Sequence, residues 1–251
     1  MLEFSGKSVI VTGGSRGIGA ATVRLFAQLG AHVAFNYNTN RNAAEKLLDE
    51  LKQTKGKHFC QKCNVGEFSD VISFVHKAAQ SFGKIDVLVN NAGIWEYGAI
   101  DSMSEEQWRH TLHINLDSVF YFTKMVVAIM RKDKTQGKII HIASTAGQRG
   151  EAFHSHYAAS KGAIISFTKS LAAELGPLGI RVNCVAPGWV DTEMSKEAIK
   201  NEGEKIRDTI PLNYIPSADE IAGPIVFLAS EWASAITGEI LNVNAGSVLC
   251  G

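Results

Sequence analysis

Along this chain, short runs of β-branched and apolar residues alternate with longer stretches in which apolar positions recur every three or four residues. The short runs predict seven strands, at 8–12, 32–37, 58–63, 87–90, 138–142, 181–186 and 239–243. The longer stretches predict helices at 17–29, 41–52, 69–82, 105–132, 155–175 and 218–229. A strand followed by a helix of ten or more residues returns by a right-handed crossover and lies parallel to its predecessor. The alternation therefore predicts an α/β fold: a doubly wound, seven-stranded parallel sheet of Rossmann-like type, covered by helices as a three-layer sandwich. No linker, repeat or low-complexity tract interrupts it, so residues 1–251 read as a single Rossmann-like domain. One stretch fits poorly. Residues 191–216 are charged, contain Gly203 and close on Pro211 and Pro216, which predicts a mobile lid above the sheet rather than a core element.

The first chemical signal lies where the first strand ends. Residues Gly13-Gly14-Ser15-Arg16-Gly17-Ile18-Gly19 follow it directly and open the first helix. Glycines permit a tight turn and close approach of backbone to a pyrophosphate, and a helix N-terminus offers unpaired N–H groups and a favourable dipole. Placed between the first strand and first helix of an alternating chain, the run predicts a dinucleotide site made by Gly13, Ser15, Arg16, Gly17, Ile18 and Gly19.

Composition narrows the class without adding chemistry. The chain is 45% hydrophobic and 20% charged, as a globular protein is, and its 25 basic residues balance 25 acidic ones. A net charge of zero gives no reason to expect nucleic acid or an anionic membrane as partner. The N-terminal residues lack the basic stretch and apolar core of a secretory leader, no apolar run approaches membrane-spanning length, and a cytoplasmic protein is expected. The four cysteines, Cys60, Cys63, Cys184 and Cys250, are too sparse and irregular for a disulfide framework and are expected as thiols. Cys60-x-x-Cys63 has no second pair to complete a metal site, so no metal is expected.

Taken together, Thr12-Gly13-x-x-x-Gly17-x-Gly19, Asn90-Asn91-Ala92-Gly93 after the fourth strand, Ser144 after the fifth, Tyr157-x-x-x-Lys161 and Pro187-Gly188 after the sixth resemble, in order and over essentially the whole chain, the short-chain dehydrogenase/reductase family. The resemblance implies hydride transfer between a nicotinamide and a carbonyl or secondary alcohol. Such a transfer leaves developing charge on oxygen, so an acid or base must sit against it. An ordinary Tyr titrates near ~10, and Lys161 lies on the same helical face as Tyr157, where an ammonium favours the phenolate and is expected to lower that pKa. By resemblance Tyr157 is the proton donor or acceptor, Lys161 tunes it and holds the nicotinamide ribose, Ser144 binds the substrate oxygen, and Asn115 anchors a proton-relaying water. The resemblance also implies cofactor contacts at Asn90, Ala92, Gly93, Pro187, Gly188, Val190 and Thr192, with Asn64 and Val65 at the adenine. Trp95, Glu96, Gln148, Phe153 and Trp189 stand where the family builds its substrate pocket, and His154 and His156 flank the Tyr.

NAD is usually selected by a carboxylate at the end of the second strand. Tyr37 holds that position here, flanked by Asn36 and Asn38, and Arg16 is within reach of a 2′-phosphate, so NADP(H) is expected ahead of NAD(H). Among family members the chain is most similar to 3-oxoacyl-carrier-protein reductases, which share the closing Ile236-Thr237-Gly238, although Thr135 and Leu178 replace basic residues those enzymes use to dock an acyl carrier protein. Arg131, Lys132 and Lys134 lie nearby. Residues 156–161 and 213–215 also resemble glucose and polyol dehydrogenases, which stand second to the acyl reductases, and a non-catalytic dinucleotide sensor is the reading from a different class. Family membership also implies a homotetramer, and Val119, Phe120, Phe122, Val126 and Val127 spread apolar surface round more of one helix than a sheet face can bury.

Overall fold

The computed structural model describes residues 2–249; Met1, Cys250 and Gly251 of the expected domain, with the thiol expected at Cys250, lie outside them. Seven strands, β1 (Ser8–Val11), β2 (His32–Tyr37), β3 (His58–Lys62), β4 (Val87–Asn90), β5 (Lys138–Ile142), β6 (Arg181–Pro187) and β7 (Ile240–Val243), form one sheet in the order β3-β2-β1-β4-β5-β6-β7. Every pairing between them is parallel. The strand order reverses between β1 and β4, and at such a reversal the connections diverge and leave a crevice beyond the C-terminal strand ends.

Helices α1 (Gly17–Gln28), α2 (Arg41–Glu50) and α3 (Phe68–Phe82) link the first four strands. Because successive side chains alternate across a strand, Val9 and Val11 face one way and Ile10 the other. Val9 and Val11 pack with Phe26 of α1, Leu47 of α2 and Ile225 of α9 (Ala218–Ala229). Ile10 and Leu88 pack with Phe74 of α3, Phe122 of α5 (Ser118–Lys132) and Leu171 of α7 (Ser155–Leu175). Both faces of the sheet are thereby covered, which is why β1 and β4 are buried at every position.

Three features differ from the sequence expectation. The expected helix at 105–132 is two helices, α4 (Glu105–Leu112) and α5, joined by a π-helical turn, His113–Asp117, that carries Asn115. By length and composition Glu105–Lys132 is apolar enough to cross a membrane, contrary to the expectation that no run is; in this fold Val119, Phe122, Val126 and Met130 of that segment pack into the core. Second, a four-residue helix, α6 (Ala146–Arg149), follows β5; Gly147 lets it approach α7 so closely that a Cβ there would sit 2.5 Å from the carbonyl carbon of Lys161. Third, residues 191–216 contain a helix, α8 (Lys196–Asp208), where only an irregular lid was expected. A stripe of Ile199, Gly203, Ile206 and Ile210 does run along one face, but glycine interrupts it and charged neighbours mask it, so the apolar signal is weak.

Candidate active site

The reversal crevice is a cleft of about 450 Å³. One end is the N-terminus of α1. Arg16 occupies the cap position without a side-chain cap, and no acidic residue stands in the first turn, so the N–H groups of Gly17, Ile18 and Gly19 and the helix dipole remain available to an anion. A Cβ at Gly19 would lie 2.3 Å from the Gly13 carbonyl oxygen, and Gly17 holds φ of +52° against Thr192, so this turn tolerates side chains at neither position. The donor set and the glycine cradle fit a pyrophosphate. Gly13, Ser15, Arg16, Gly17, Ile18 and Gly19 all line the cleft, as expected.

Three residues hold this turn and were not foreseen as functional. Asn36 accepts a hydrogen bond from Gly13 N–H at 3.0 Å and donates from Nδ2 to the Cys63 carbonyl at 3.0 Å, tying β1, β2 and β3 together at their ends. Thr12 Oγ1 accepts from the N–H groups of Asn91 and Ala92, while Asn91 Nδ2 donates to the carbonyls of Thr12 and Gly13. The signal for Thr12 and Asn91 lay in the motifs themselves; for Asn36 there was only a polar residue inside a strand. Next to this turn, Tyr37, Asn38 and Asn40 line the cleft without any carboxylate among residues 36–40, and Asn64 and Val65 line it from β3. Ala92 and Gly93 contribute from β4, and Pro187, Gly188, Val190 and Thr192 from β6 onward. Asn90 does not join them: its side chain is buried and donates to Thr123 Oγ1 of α5 at 3.1 Å.

At the far end, Ser144, Tyr157 and Lys161 meet. The Ser144 hydroxyl is hydrogen-bonded to that of Tyr157 and accepts from Ala146 N–H at 3.1 Å. Lys161 lies one turn below Tyr157, its Nζ 5.7 Å from the phenol ring centre and donating to the Ile142 carbonyl at 2.7 Å. Burial lowers Lys161 to about 8. Burial also pushes Tyr157 up to about 12, against the Ser144 hydrogen bond that draws it down. The expectation that Lys161 would lower Tyr157 is thus corrected: desolvation wins, and the phenol is protonated at neutral pH. Behind them, burial pushes Cys184 up to about 12 and lowers His141 to about 3, leaving both uncharged. Thr168 Oγ1 already donates to the Ile164 carbonyl, so the His141 hydrogen must lie on Nδ1, which donates to Thr168 at 2.9 Å.

Asn115 does not line the cleft. From the π-helical turn its Oδ1 accepts from Ile94 N–H at 2.8 Å, and its Nδ2 donates to the Ile94 carbonyl and to Ser160 Oγ. Its side chain thereby fixes the loop after Gly93 to the helix that carries Tyr157 and Lys161. Of the expected pocket residues, Trp95 and Trp189 line the cleft. Glu96 and Phe153 are exposed, Gln148 donates to Asn242, His154 stacks on Trp95 and His156 is fully buried. Glu151, which the sequence did not single out, also lines it. Cys60, Cys63 and Cys184 are free thiols, and no cluster of metal-ligating side chains exists among the described residues.

A family profile described as enoyl-(acyl carrier protein) reductase matches residues 13–247. The chain is 40% identical over 245 residues to the 3-oxoacyl-[acyl-carrier-protein] reductase of Escherichia coli, covering 98% of each protein. It is 38% identical over 248 residues to that of Thermotoga maritima, covering 99% of this chain and 100% of the other. A solved Brucella melitensis protein, described as a short-chain dehydrogenase/reductase and glucose/ribitol dehydrogenase, superposes with a TM-score of 0.94 at 34% identity and 99% coverage of both chains.

The buried Lys161 carries a thermodynamic signature. Its folded value of about 8 lies below the ordinary 10.5, so between the two the unfolded chain binds more protons than the folded one. Stability contributed at this position therefore rises with pH across that window, and the cost of the buried charge is full below pH 8. We expect the melting temperature of the wild type to gain on that of Lys161→Met as pH is raised from 7 to 10; parallel melting curves across that range would show that Lys161 titrates normally.

Proposed function

The chain belongs to the short-chain dehydrogenase/reductase family, and from that premise we propose that it is an NADP(H)-dependent reductase of 3-oxoacyl thioesters, including those borne on an acyl carrier protein. The observation that carries this reading is the Ser144–Tyr157–Lys161 cluster at one end of a cleft whose other end is an uncapped helix N-terminus. The nicotinamide, when bound, supplies the hydride. Pyrophosphate recognition falls to the N–H groups of Gly17, Ile18 and Gly19, and 2′-phosphate recognition to Arg16 and Asn38, which line the cleft beside that turn. Ser144 orients the substrate oxygen. Tyr157, protonated at neutral pH, donates its phenolic proton to that oxygen, and the Lys161 ammonium stabilises the charge left behind. Asn115 holds the Ile94 loop against the catalytic helix so that the two walls keep their spacing. Helix α8 and the segment before it, which supplies Thr192 to the cleft, act as the lid.

A sugar or polyol dehydrogenase is the second reading, favoured by Trp95, Trp189 and Glu151 on the substrate wall, a ring-and-carboxylate surface suited to hydroxylated substrates. We further propose a cytoplasmic homotetramer. Phe120 is 47% exposed on α5, and it borders a groove with Leu116, Ala163 and Phe167 that a second copy of the chain would cover.

Tyr157→Phe is expected to reduce kcat with a 3-oxoacyl thioester by at least a hundredfold while NADPH still binds within about threefold of the wild-type Kd. Retained turnover would remove Tyr157 as the acid. Tyr37→Asp, alone and with Arg16→Ala, should lower the ratio of kcat/KM for NADPH over NADH by about tenfold or more, since a charge-assisted bond to phosphate is lost and a carboxylate repels it. A wild type that already prefers NADH refutes the phosphate assignment. Native mass measurement should give four chains, and a monomer would mean that the Phe120 groove is covered in some other way.

A further inference from the structure

A series of aromatic rings leads from the surface to the catalytic end of the cleft. Phe153 stacks on Tyr97 at 5.5 Å, Tyr97 meets His154 edge-on at 6.1 Å, and His154 lies parallel to Trp95 at 4.4 Å. Trp95 then meets Trp189 at 5.7 Å in a T-shaped contact. Only the two tryptophans line the cleft; the outer rings brace them. The bracing is costly, because Phe153 takes φ of +61°, a left-handed conformation unfavourable for a bulky residue, to place its ring there.

Glu151 is built into the same wall. Its Oε1 accepts from the Trp95 indole N–H at 3.2 Å, and His154 Nδ1, which donates to the Ala152 carbonyl, stands 3.7 Å from it. The second carboxylate oxygen has no hydrogen bond among the described residues. The Glu151 side chain is 26% exposed, lines the cleft, and its charge adds to the burial that raises Tyr157. Of the cations lining the cleft, Lys161 gives one N–H to the Ile142 carbonyl, Arg16 belongs to the opposite end and Arg149 is solvent-exposed; none of the three pairs with Glu151 among the described residues.

Like charges set side by side in a partly desolvated site repel strongly, whereas an uncharged ring gains by covering the tryptophans. We propose that Glu151 and the Trp95–Trp189 wall make this site selective for neutral, ring-bearing carbonyl compounds and exclude those with a carboxylate beside the reacting carbon. The inference rests on the carbonyl-reducing reading above and adds to it a selectivity among 2-oxo compounds: the ester enters, its free acid does not.

Three probes separate the contributions: methyl benzoylformate, benzoylformate and methyl pyruvate, each titrated calorimetrically into the NADPH-loaded enzyme and assayed for turnover. The wild type should bind methyl benzoylformate at least tenfold more tightly than either of the others. Glu151→Gln should bring the ester and the acid within about threefold while keeping the preference for the ring. Trp95→Ala should abolish the ring preference, and Trp95→Phe should retain it. Equal affinity for ester and acid in the wild type, a ratio unmoved by Glu151→Gln, or binding of none of the three overturns the inference. Selective binding without oxidation of NADPH upholds this selectivity and removes the reductase reading; turnover of acid and ester alike does the reverse.

Discussion

Nζ of Lys161 is a charged group held in an apolar interior, and the rest of the site is arranged around that fact. The side chain is 4% exposed, and the drop from 10.5 to about 8 corresponds to a cost on the order of 3 kcal/mol. One carbonyl, that of Ile142, takes its hydrogen bond. The groups around it, His141 and Cys184, are kept neutral by the same burial, so neither supplies a counter-charge to the ammonium. The cost is local and the fold can bear it, because α7 is anchored over 21 residues and pressed against α6 through Gly147. A site of this kind is electrostatically poised in advance of any reaction.

The sheet decides where such a charge is useful. Strand order reverses beside β1, and most cleft residues project from a C-terminal strand end or from the loop that follows it, with Tyr157 and Lys161 reaching in from α7. Polar side chains at those ends spend their hydrogen bonds on one another's backbones: Asn36 joins three strands, Thr12 and Asn91 lock β1 to β4, and Asn115 locks the Ile94 loop to α7. Rigid supports of this sort keep first-contact groups in place without touching a ligand themselves.

Much of this was legible from the chain. Helix α7, β2, β4 and β5 fall at the residues their periodicity indicates, and the glycine turn, Ser144, Tyr157 and Lys161 converge on one cleft as their order implied. What escaped has identifiable causes. Asn90 sits within a recognisable motif yet points into the core, because a strand sends neighbouring side chains to opposite faces and spacing alone does not say which. Glu151 lies in a loop with no periodicity to mark it. The direction of the Tyr157 shift depends on burial, a property of the folded surroundings that an i, i+4 spacing does not contain. Helix α8 was hidden by charge and a central glycine.

The π-helical turn between α4 and α5 has a consequence in angular phase. An α-helix advances about 100° per residue, and a π turn admits one residue beyond the α-helical count. Helix α4 packs on α7, the helix that carries Tyr157 and Lys161, whereas α5 packs on α3 and the sheet. The extra residue at His113–Asp117 resets the rotation between these two docking faces, so a continuous helical rod addresses two differently oriented surfaces. Deleting a single residue there would restore regular winding and swing Phe122, Val126 and Met130 away from the core together. The length of that segment is therefore fixed as strictly as the identity of any side chain it bears.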